Sequence, residues 1–216
     1  DALPFDVRVA IAVCRRGGCL AQAAYLAKTY EYHDEYLEIQ LRDERNAHEA
    51  IEYLAQLPPA LAELYARQYA HVLLDALPEA TTAMLLTLYT RPIAQDGTSQ
   101  VPTPAPLFSH FVGHGAMLTH FCEQLAARRW GKAIADAPGT PDPAPADAPP
   151  AEPDEQLVYD TLLELYLTSA HAQDKALYLL YHPARFPYTV EHALMLCTTE
   201  QCTPGLLYLY ERLGMV

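Results

Sequence analysis

Apolar residues recur along most of the chain at intervals of three and four residues, a spacing that places them on one face of an α-helix. The run of Leu20, Ala23, Ala24, Ala27 and Tyr30 is the clearest example. The pattern predicts an all-α chain of about twelve helices joined by short turns. Besides the first two helical segments, it places helices over residues 34–42, 46–57, 60–76, 81–89, 107–112, 117–129, 157–168, 175–182, 189–198 and from 203 onward.

The first segment, from Asp6 to Arg15, has two interpretations. Its Val and Ile residues alternate with other residues, which by itself would suit a strand. The Gly17-Gly18 pair then predicts a turn, and the segment after it has a clear helical period. We therefore favour a helix–turn–helix over residues 6–30.

Several helix ends carry recognisable signals. Asn46 is a predicted N-cap, and Glu49 three residues later completes the pattern of a capping box. Pro59 is suited to the first turn of a long helix, and Thr203-Pro204 predicts an N-cap followed by proline at the first helical position.

Two segments interrupt the helical pattern. Residues 91–106 read as a polar loop, and residues 133–155 contain seven prolines with no large apolar residue after Ile134. The second composition cannot offset the entropy lost on ordering by burying apolar surface, so we expect a disordered insert there. The predicted organisation is therefore hairpin repeats over 1–132, the insert over 133–155, and the same solenoid continuing over 156–216.

The predicted helices share a small residue followed by larger ones. A small residue lets two helices approach closely, and the larger neighbours fill the groove between them. Such repeats favour an α-solenoid of stacked helical hairpins over a single four-helix bundle, with Leu163 and Leu207 among the buried residues. The pattern occurs in Ala23-x-x-Leu26-Ala27, Ala50-x-x-Tyr53-Leu54, Ala176-x-x-Leu179-Leu180 and Ala193-x-x-Leu196-Cys197.

The net charge of −13 argues against nucleic acid and anionic lipid as partners, since both need clustered Lys and Arg. No apolar run reaches the roughly 20 residues that a membrane-spanning helix needs. The chain starts at Asp1 without Met or a signal-like segment, which suggests a fragment of a longer protein. We expect a solvated face, or a surface for a basic partner, from the acidic run of Glu31, Asp34, Glu35, Glu38, Asp43 and Glu44.

The segment from His110 to Cys122 is the one candidate ligand site. His110, His114 and His120 are close in sequence, but glycines beside His114 disfavour one continuous helix, and the zinc-protease spacing is absent. A polar turn is the favoured interpretation, and a metal or ligand site is the alternative.

The other reactive side chains also read as structural. The pairs Cys14/Cys19 and Cys197/Cys202 are each separated by four residues, whereas zinc knuckles usually use two, so buried reduced thiols are expected. We assign no catalytic, cofactor-binding or metal-ligating residue. Most tyrosines are expected to be buried with the hydroxyl at a polar rim, among them Tyr25, Tyr53, Tyr65, Tyr69, Tyr208 and Tyr210.

Several segments resemble a known family. The stretches 23–27, 36–41 and 50–54 resemble the clathrin heavy chain repeat, and the chain from about residue 14 to its end is similar to the helical region of the vacuolar protein sorting-associated protein 11 family. The similarity is poor through 91–155. It is strongest in Tyr159-Asp160-Thr161-Leu162-Leu163-Glu164-Leu165, Ala193-Leu194-Met195-Leu196-Cys197 and Gly205-Leu206-Leu207-Tyr208-Leu209-Tyr210-Glu211.

This resemblance implies a clathrin-repeat or TPR-like solenoid of antiparallel hairpins, acting as a non-enzymatic core subunit of the HOPS and CORVET tethering complexes. Implied partners are vacuolar protein sorting-associated protein 18 and related core subunits, and indirectly small G proteins and SNAREs. The implied location is the cytoplasm, peripheral to late-endosomal, vacuolar or lysosomal membranes. The family's β-propeller and RING domains are not in these residues. The alternatives are another clathrin-repeat coat or sorting subunit, or a helical ligand-binding bundle near His110–Cys122.

Overall fold

The computed structural model describes residues 6–95, 98–134, 152–169 and 171–214. Within them the chain forms twelve α-helices and one two-stranded antiparallel hairpin. In chain order the elements are α1 (Val7–Arg16), α2 (Leu20–Thr29), α3 (His33–Glu38), α4 (Ala47–Gln56), α5 (Pro59–Ala76), α6 (Pro78–Thr90), β1 (Ile93–Gln95), β2 (Thr98–Gln100), α7 (Ala105–Phe108), α8 (Gly115–Trp130), α9 (Pro153–Thr168), α10 (Gln173–Tyr181), α11 (Val190–Thr199) and α12 (Thr203–Arg212).

The chain divides into two compact units. The N-terminal unit comprises Asp1–Leu88 and Ile93–Gln100, and the C-terminal unit comprises Tyr89–Pro92 and Val101–Val216. The helices on either side of the predicted insert, α8 and α9, pack against each other within the C-terminal unit.

Alanines set the close helix contacts of the N-terminal unit. Ala23 and Ala27 of α2 and Ala50 of α4 are fully buried, and Leu37 and Leu54 pack into the same core. Because alanine has only a methyl group, the backbones of neighbouring helices can approach one another at these positions. The predicted helix–turn–helix of α1 and α2 and the repeated small-residue pattern are both confirmed.

The third predicted helix changes its winding halfway along. After α3 the chain continues as a π-helical turn over Ile39–Asp43, closed by a hydrogen bond from the Glu44 amide to the Ile39 carbonyl. The wider turn buries three consecutive residues, Ile39, Gln40 and Leu41, which a regular α-helix on the edge of a core would not do.

Stacked hairpins are clearest in the C-terminal unit. α9 packs against both α10 and α11, while α12 packs against both α10 and α11. Each helix therefore contacts its neighbour in sequence and the next hairpin, the arrangement that defines an α-solenoid. The predicted all-α solenoid class is confirmed.

The helix-end signals are confirmed in part. The Asn46 side chain accepts a hydrogen bond from the Glu49 amide, as an N-cap should. The Glu49 carboxylate does not complete a capping box but accepts a hydrogen bond from the Tyr36 hydroxyl at 2.8 Å. Thr203 is the first residue of α12 rather than its cap, a position held by Cys202.

The two predicted interruptions need correction. The loop predicted over 91–106 contains the β1–β2 hairpin, in which Ile93 pairs with Gln100, and α7 already begins at Ala105. Helix α9 begins at Pro153, so residues 153–155, which the sequence predicts as part of the insert over 133–155, are helical. Most of the insert, residues 135–151, lies outside the described residues.

A polar cluster explains why α9 starts before the predicted end of the insert. Arg129 at the end of α8 pairs with Asp154 at 3.0 Å and donates to the Pro102 carbonyl at 3.3 Å. Lys132 pairs with Glu155, which is buried. These acids look like part of a solvated low-complexity segment in the sequence, but they bind basic side chains that the fold brings beside them.

Buried tyrosines place their hydroxyls on polar partners, as predicted for the class. Tyr69 donates to Asp34, Tyr166 to Glu123 at 2.6 Å and Tyr188 to the Leu180 carbonyl at 2.8 Å. The prediction is wrong for individual residues, since Tyr25 is 69% exposed and Tyr210 is 38% exposed.

The predicted core residues Leu163 and Leu207 have different environments. Leu163 on α9 is fully buried, whereas Leu207 on α12 is 60% exposed. The prediction for Leu207 is therefore wrong, because its helix is apolar on more than one side and periodicity alone does not select the side that packs.

We expect Leu163→Ala to lower the free energy of unfolding by about 2–5 kcal/mol, because the truncation leaves a cavity in a buried site. Leu207→Ala is the matched control and should change it by no more than about 0.5 kcal/mol, since its side chain is mostly in solvent. Urea denaturation of both variants followed by circular dichroism measures the difference. Equal losses in the two variants would contradict the packing described.

A second stability prediction concerns Gly205, where a Cβ atom would lie 2.9 Å from both the Cys197 sulfur and the Leu180 Cδ1 atom. Gly205→Ala should destabilise the chain by about 1–3 kcal/mol through overpacking, despite the better helix propensity of alanine. Gly115→Ala is the control, because nothing lies within 4 Å of its Cβ position, and it should be neutral or slightly stabilising. Thermal unfolding of both variants decides, and a stabilised Gly205→Ala would refute the close contact.

Alkaline pH should unfold the chain. Burial raises the pKa of Tyr188 to about 12 and also raises the pKa values of Tyr36, Tyr69, Tyr159 and Tyr166. The folded state then keeps protons that the unfolded state loses above a pH of about 10. Stability is therefore full below about pH 10 and is lost as the pH rises through about 12.

Tyrosinate absorbance and far-ultraviolet circular dichroism, recorded together during an alkaline titration, test this. Exposed tyrosines should ionise first. The buried tyrosines named above should ionise only when the helical circular dichroism signal is lost. Ionisation of all fifteen tyrosines near pH 10 with helix content unchanged would contradict the prediction.

Candidate interaction surfaces

The side chains of the possible ligand site predicted between His110 and Cys122 do not point to a common centre. His110 lies on a short 3₁₀ turn, His114 is the N-cap residue of α8, and His120 is exposed on α8. Cys122, two residues further along the same helix, points into the core and is fully buried. His120 and Cys122 therefore lie on opposite sides of α8.

Burial governs the chemistry of Cys122. Desolvation in the core raises the pKa of the thiol, with a smaller contribution from Glu123. A buried protonated thiol is a poor metal ligand and a poor nucleophile. In the part of the chain that the structure describes, no group of three or more His, Cys, Asp or Glu side chains could hold a metal ion.

The acidic run on α3 and the π-helical turn faces basic side chains of the same unit. Glu35 pairs with Arg8 at 3.2 Å, and Arg15 contacts Glu38 at 3.2 Å and Asp43 at 2.7 Å. The hydrogen bond from Arg15 to Asp43 raises the pKa of the guanidinium.

These pairs dock α1 on α3, so the expectation of a purely solvated face is wrong for them. Each partly exposed pair contributes about 0–1 kcal/mol, so the network fixes the position of α1 more than it adds stability.

Exposed apolar side chains lie on the α1–α2 hairpin. Val9 and Val13 are more than half exposed and, four residues apart, share one face of α1. Tyr25 projects from α2, where it borders a shallow open depression of about 350 Å³ lined also by Ala21, Gln22 and Leu26. We refer to Val9, Val13 and Tyr25 as the α1–α2 surface.

A second group lies on the α11–α12 hairpin. Leu207 and Tyr210, three residues apart, share one outer face of α12, and Met195 is exposed on α11. Tyr208 turns away from this face and meets the Tyr181 ring edge-on at 4.9 Å. We refer to Met195, Leu207 and Tyr210 as the α11–α12 surface.

Val112 is the most exposed large apolar residue of the described chain, at 82%. It stands at the tip of a tight turn, with Val112 at φ −56° and ψ 124° and Gly113 at φ 86°, closed by a bond from the His114 amide to the Phe111 carbonyl. This geometry is a type II turn, which requires a positive φ at its third residue and explains the glycine.

Sequence reasoning missed these surfaces, although the signal was present. Both α1 and α12 carry apolar residues on opposite sides, for example Ile11 inside and Val9 outside α1. A helix that is apolar on two sides has one side for the core and a second that remains to be covered. No helix of the described residues is both long enough and apolar enough to cross a bilayer.

The comparisons with known proteins agree with one another. Residues 1–135 match the family described as "PEP5/VPS11 Clathrin repeat". The chain is 33% identical over 226 residues to "Vacuolar protein sorting-associated protein 11 homolog" from Homo sapiens, an alignment that covers 96% of this chain and 22% of that protein.

Relatives from two further organisms give the same result. The Arabidopsis thaliana homologue is 33% identical over 168 residues, covering 77% of this chain and 16% of that protein. The Dictyostelium discoideum homologue is 26% identical over 273 residues, covering 98% of this chain and 26% of that protein. The chain thus spans about a quarter or less of the length of these relatives. No solved structure matches it significantly.

The family match extends over more than half of the residues and covers the stacked hairpins of the N-terminal unit. The chain belongs to the PEP5/VPS11 clathrin-repeat family.

Proposed function

We propose that the chain is a scaffold segment of a tethering subunit in vacuolar protein sorting. It acts through protein–protein contacts in vesicle docking and fusion at the late endosome, vacuole or lysosome, in a complex of the HOPS or CORVET type. Family membership supports this assignment, because the relatives that match along nearly the whole chain are named for vacuolar protein sorting.

One structural observation carries the proposal. Both the α1–α2 and the α11–α12 hairpins complete a core with one side and leave large apolar side chains exposed on another. Isolated exposed apolar residues are ordinary, whereas exposed apolar side chains grouped on one face mark interaction sites. Scaffolds built from stacked hairpins present extended surfaces on which partners bind.

The partners that fit are other subunits of the tethering complex, with vacuolar protein sorting-associated protein 18 as the first to test. Contacts with small G proteins and SNAREs would be indirect, through those subunits. A net charge of −13 disfavours nucleic acid and anionic membrane surfaces as direct partners. From the family membership we further propose that the protein acts in the cytoplasm, held peripherally at the membrane by its complex, with no catalytic step of its own.

The test measures affinity between the purified chain and the purified core subunits, by biolayer interferometry. We expect the double variant Val13→Ser/Tyr25→Ser or the variant Leu207→Ser to weaken at least one of these interactions by about tenfold or more, equivalent to about 1.4 kcal/mol. Both changes replace exposed side chains, so the fold should remain intact.

Glu52→Gln is the matched control, because Glu52 is exposed and lies on α4, which contributes no residue to either surface. Its affinity should equal that of the wild type. If the folded wild-type chain binds none of the core subunits, the proposed scaffold role belongs elsewhere in the full-length relatives. If the apolar variants bind as well as Glu52→Gln, the role stands but the two surfaces do not carry it.

A further inference from the structure

The turn between α11 and α12 brings two cysteines together. The Cys202 amide donates to the Cys197 carbonyl at 2.9 Å, the Gln201 amide donates to the Thr198 carbonyl at 3.4 Å, and Gln201 has a positive φ of 56°. These are the two hydrogen bonds and the left-handed residue of a Schellman motif. In this motif the two residues that lie five apart in sequence come into side-chain contact, and here they are Cys197 and Cys202. The sequence separation of the two cysteines is therefore the one that the turn brings together.

Both sulfur atoms lie next to Gly205 of α12. A Cβ atom at Gly205 would lie 2.9 Å from the Cys197 sulfur and 3.2 Å from the Cys202 sulfur. The two sulfurs therefore flank the same point of α12, and the thiols interact with each other. Cys197 is fully buried, while Cys202 is half-buried and gives solvent a route to the pair.

The α1–α2 turn supplies an internal comparison. The Cys19 amide donates to the Cys14 carbonyl at 2.9 Å, the Gly18 amide donates to the Arg15 carbonyl at 3.2 Å, and Gly18 has a positive φ of 76°. The backbone motif is the same, but Cys19 is exposed and its sulfur lies toward the Gly17 carbonyl. Two pairs with identical spacing thus differ in where the second sulfur lies.

We propose that Cys197 and Cys202 form an oxidative modification site, at which a peroxide converts the two thiols into a disulfide that locks the α11–α12 turn. The backbone bond between the two residues holds their main chains side by side, and both sulfurs lie near the same point of α12, so a disulfide between them closes a short loop. This inference is independent of the proposed scaffold function.

The chemistry balances with hydrogen peroxide as the oxidant. The half-buried Cys202 thiol loses its proton, and the thiolate attacks one peroxide oxygen. The O–O bond breaks, the leaving hydroxide takes up the released proton as one water, and Cys202 becomes a sulfenic acid. The Cys197 sulfur then attacks the Cys202 sulfur, the S–O bond breaks, and the hydroxide leaves with the Cys197 proton as a second water. Two thiols are oxidised by two electrons, and one peroxide is reduced to two waters.

Burial makes the second step dependent on pH. Desolvation, with smaller contributions from Cys202, raises the pKa of the Cys197 thiol to about 12. Because the thiolate is the nucleophile, its fraction grows about tenfold with each pH unit below that value. The disulfide should therefore form slowly at neutral pH and faster as the pH rises toward 9, where the buried tyrosines are still protonated.

Peptide mapping of the folded 216-residue chain tests the proposal. The reduced protein is treated with hydrogen peroxide, alkylated and digested with trypsin, which releases Cys197 and Cys202 in one peptide and separates Cys14 from Cys19 by cleavage after Arg15 and Arg16. We expect the peptide 186–212 to lose two hydrogens, reversibly with dithiothreitol. This loss should precede any Cys14–Cys19 cross-link by at least about tenfold in rate.

Cys202→Ser should abolish the loss of two hydrogens, and Cys19→Ser, the matched variant in the equivalent turn, should leave its rate unchanged. Circular dichroism checks that both variants fold, with Cys202→Ala as a second variant if the serine disturbs the turn. The proposal is overturned if wild-type Cys202 proceeds to sulfinic acid without a link, if disulfide-linked dimers form first, or if the Cys14–Cys19 link forms as fast.

Discussion

Close approach of helices at small side chains is the constraint on which the rest of each unit depends. Ala23, Ala27 and Ala50 in the N-terminal unit, and Ala176 and Ala193 in the C-terminal unit, are all fully buried at helix contacts. Since only a methyl group separates the backbones there, the neighbouring Leu and Tyr side chains can fill the grooves on either side. Gly205 is the extreme case, where even a methyl group would overlap Cys197 and Leu180.

Polar groups then fix how those contacts are arranged. The tyrosine hydroxyls reach carboxylates or carbonyls at the edge of each core, and Arg8 and Arg15 hold α1 against the acids of α3 and the π-helical turn. Such bonds add modest stability but make alternative packings costly, because a slipped helix would leave buried hydroxyls without partners. The chain uses its tyrosines as large apolar residues with one polar atom that specifies position.

Apolar side chains that neither core buries remain exposed and are available to bind partners. Helices such as α1 and α12 are apolar on two sides, and only one of these two sides is buried in the core of the unit. This property agrees with the proposed scaffold role, because a scaffold must still expose apolar surface after it has folded in order to bind its partners. The α11–α12 hairpin packs into the core on one side and exposes such an apolar surface on another. Its turn also contains the two cysteines of the proposed oxidation site.

By itself the sequence determined the helical class, the position of nearly every helix and the Asn46 cap, because these depend on local spacing and turn chemistry that are read along the chain. It also determined the family, through its resemblance to known proteins. Only the tertiary structure decided which side of a two-sided helix is buried, as with Leu163 inside and Leu207 outside. It also decided that Asp154 and Glu155 belong to α9 and pair with Arg129 and Lys132, and that one of two identical cysteine spacings places both sulfurs beside the same residue. Those outcomes depend on neighbours distant in sequence, which no periodicity within a single helix can specify.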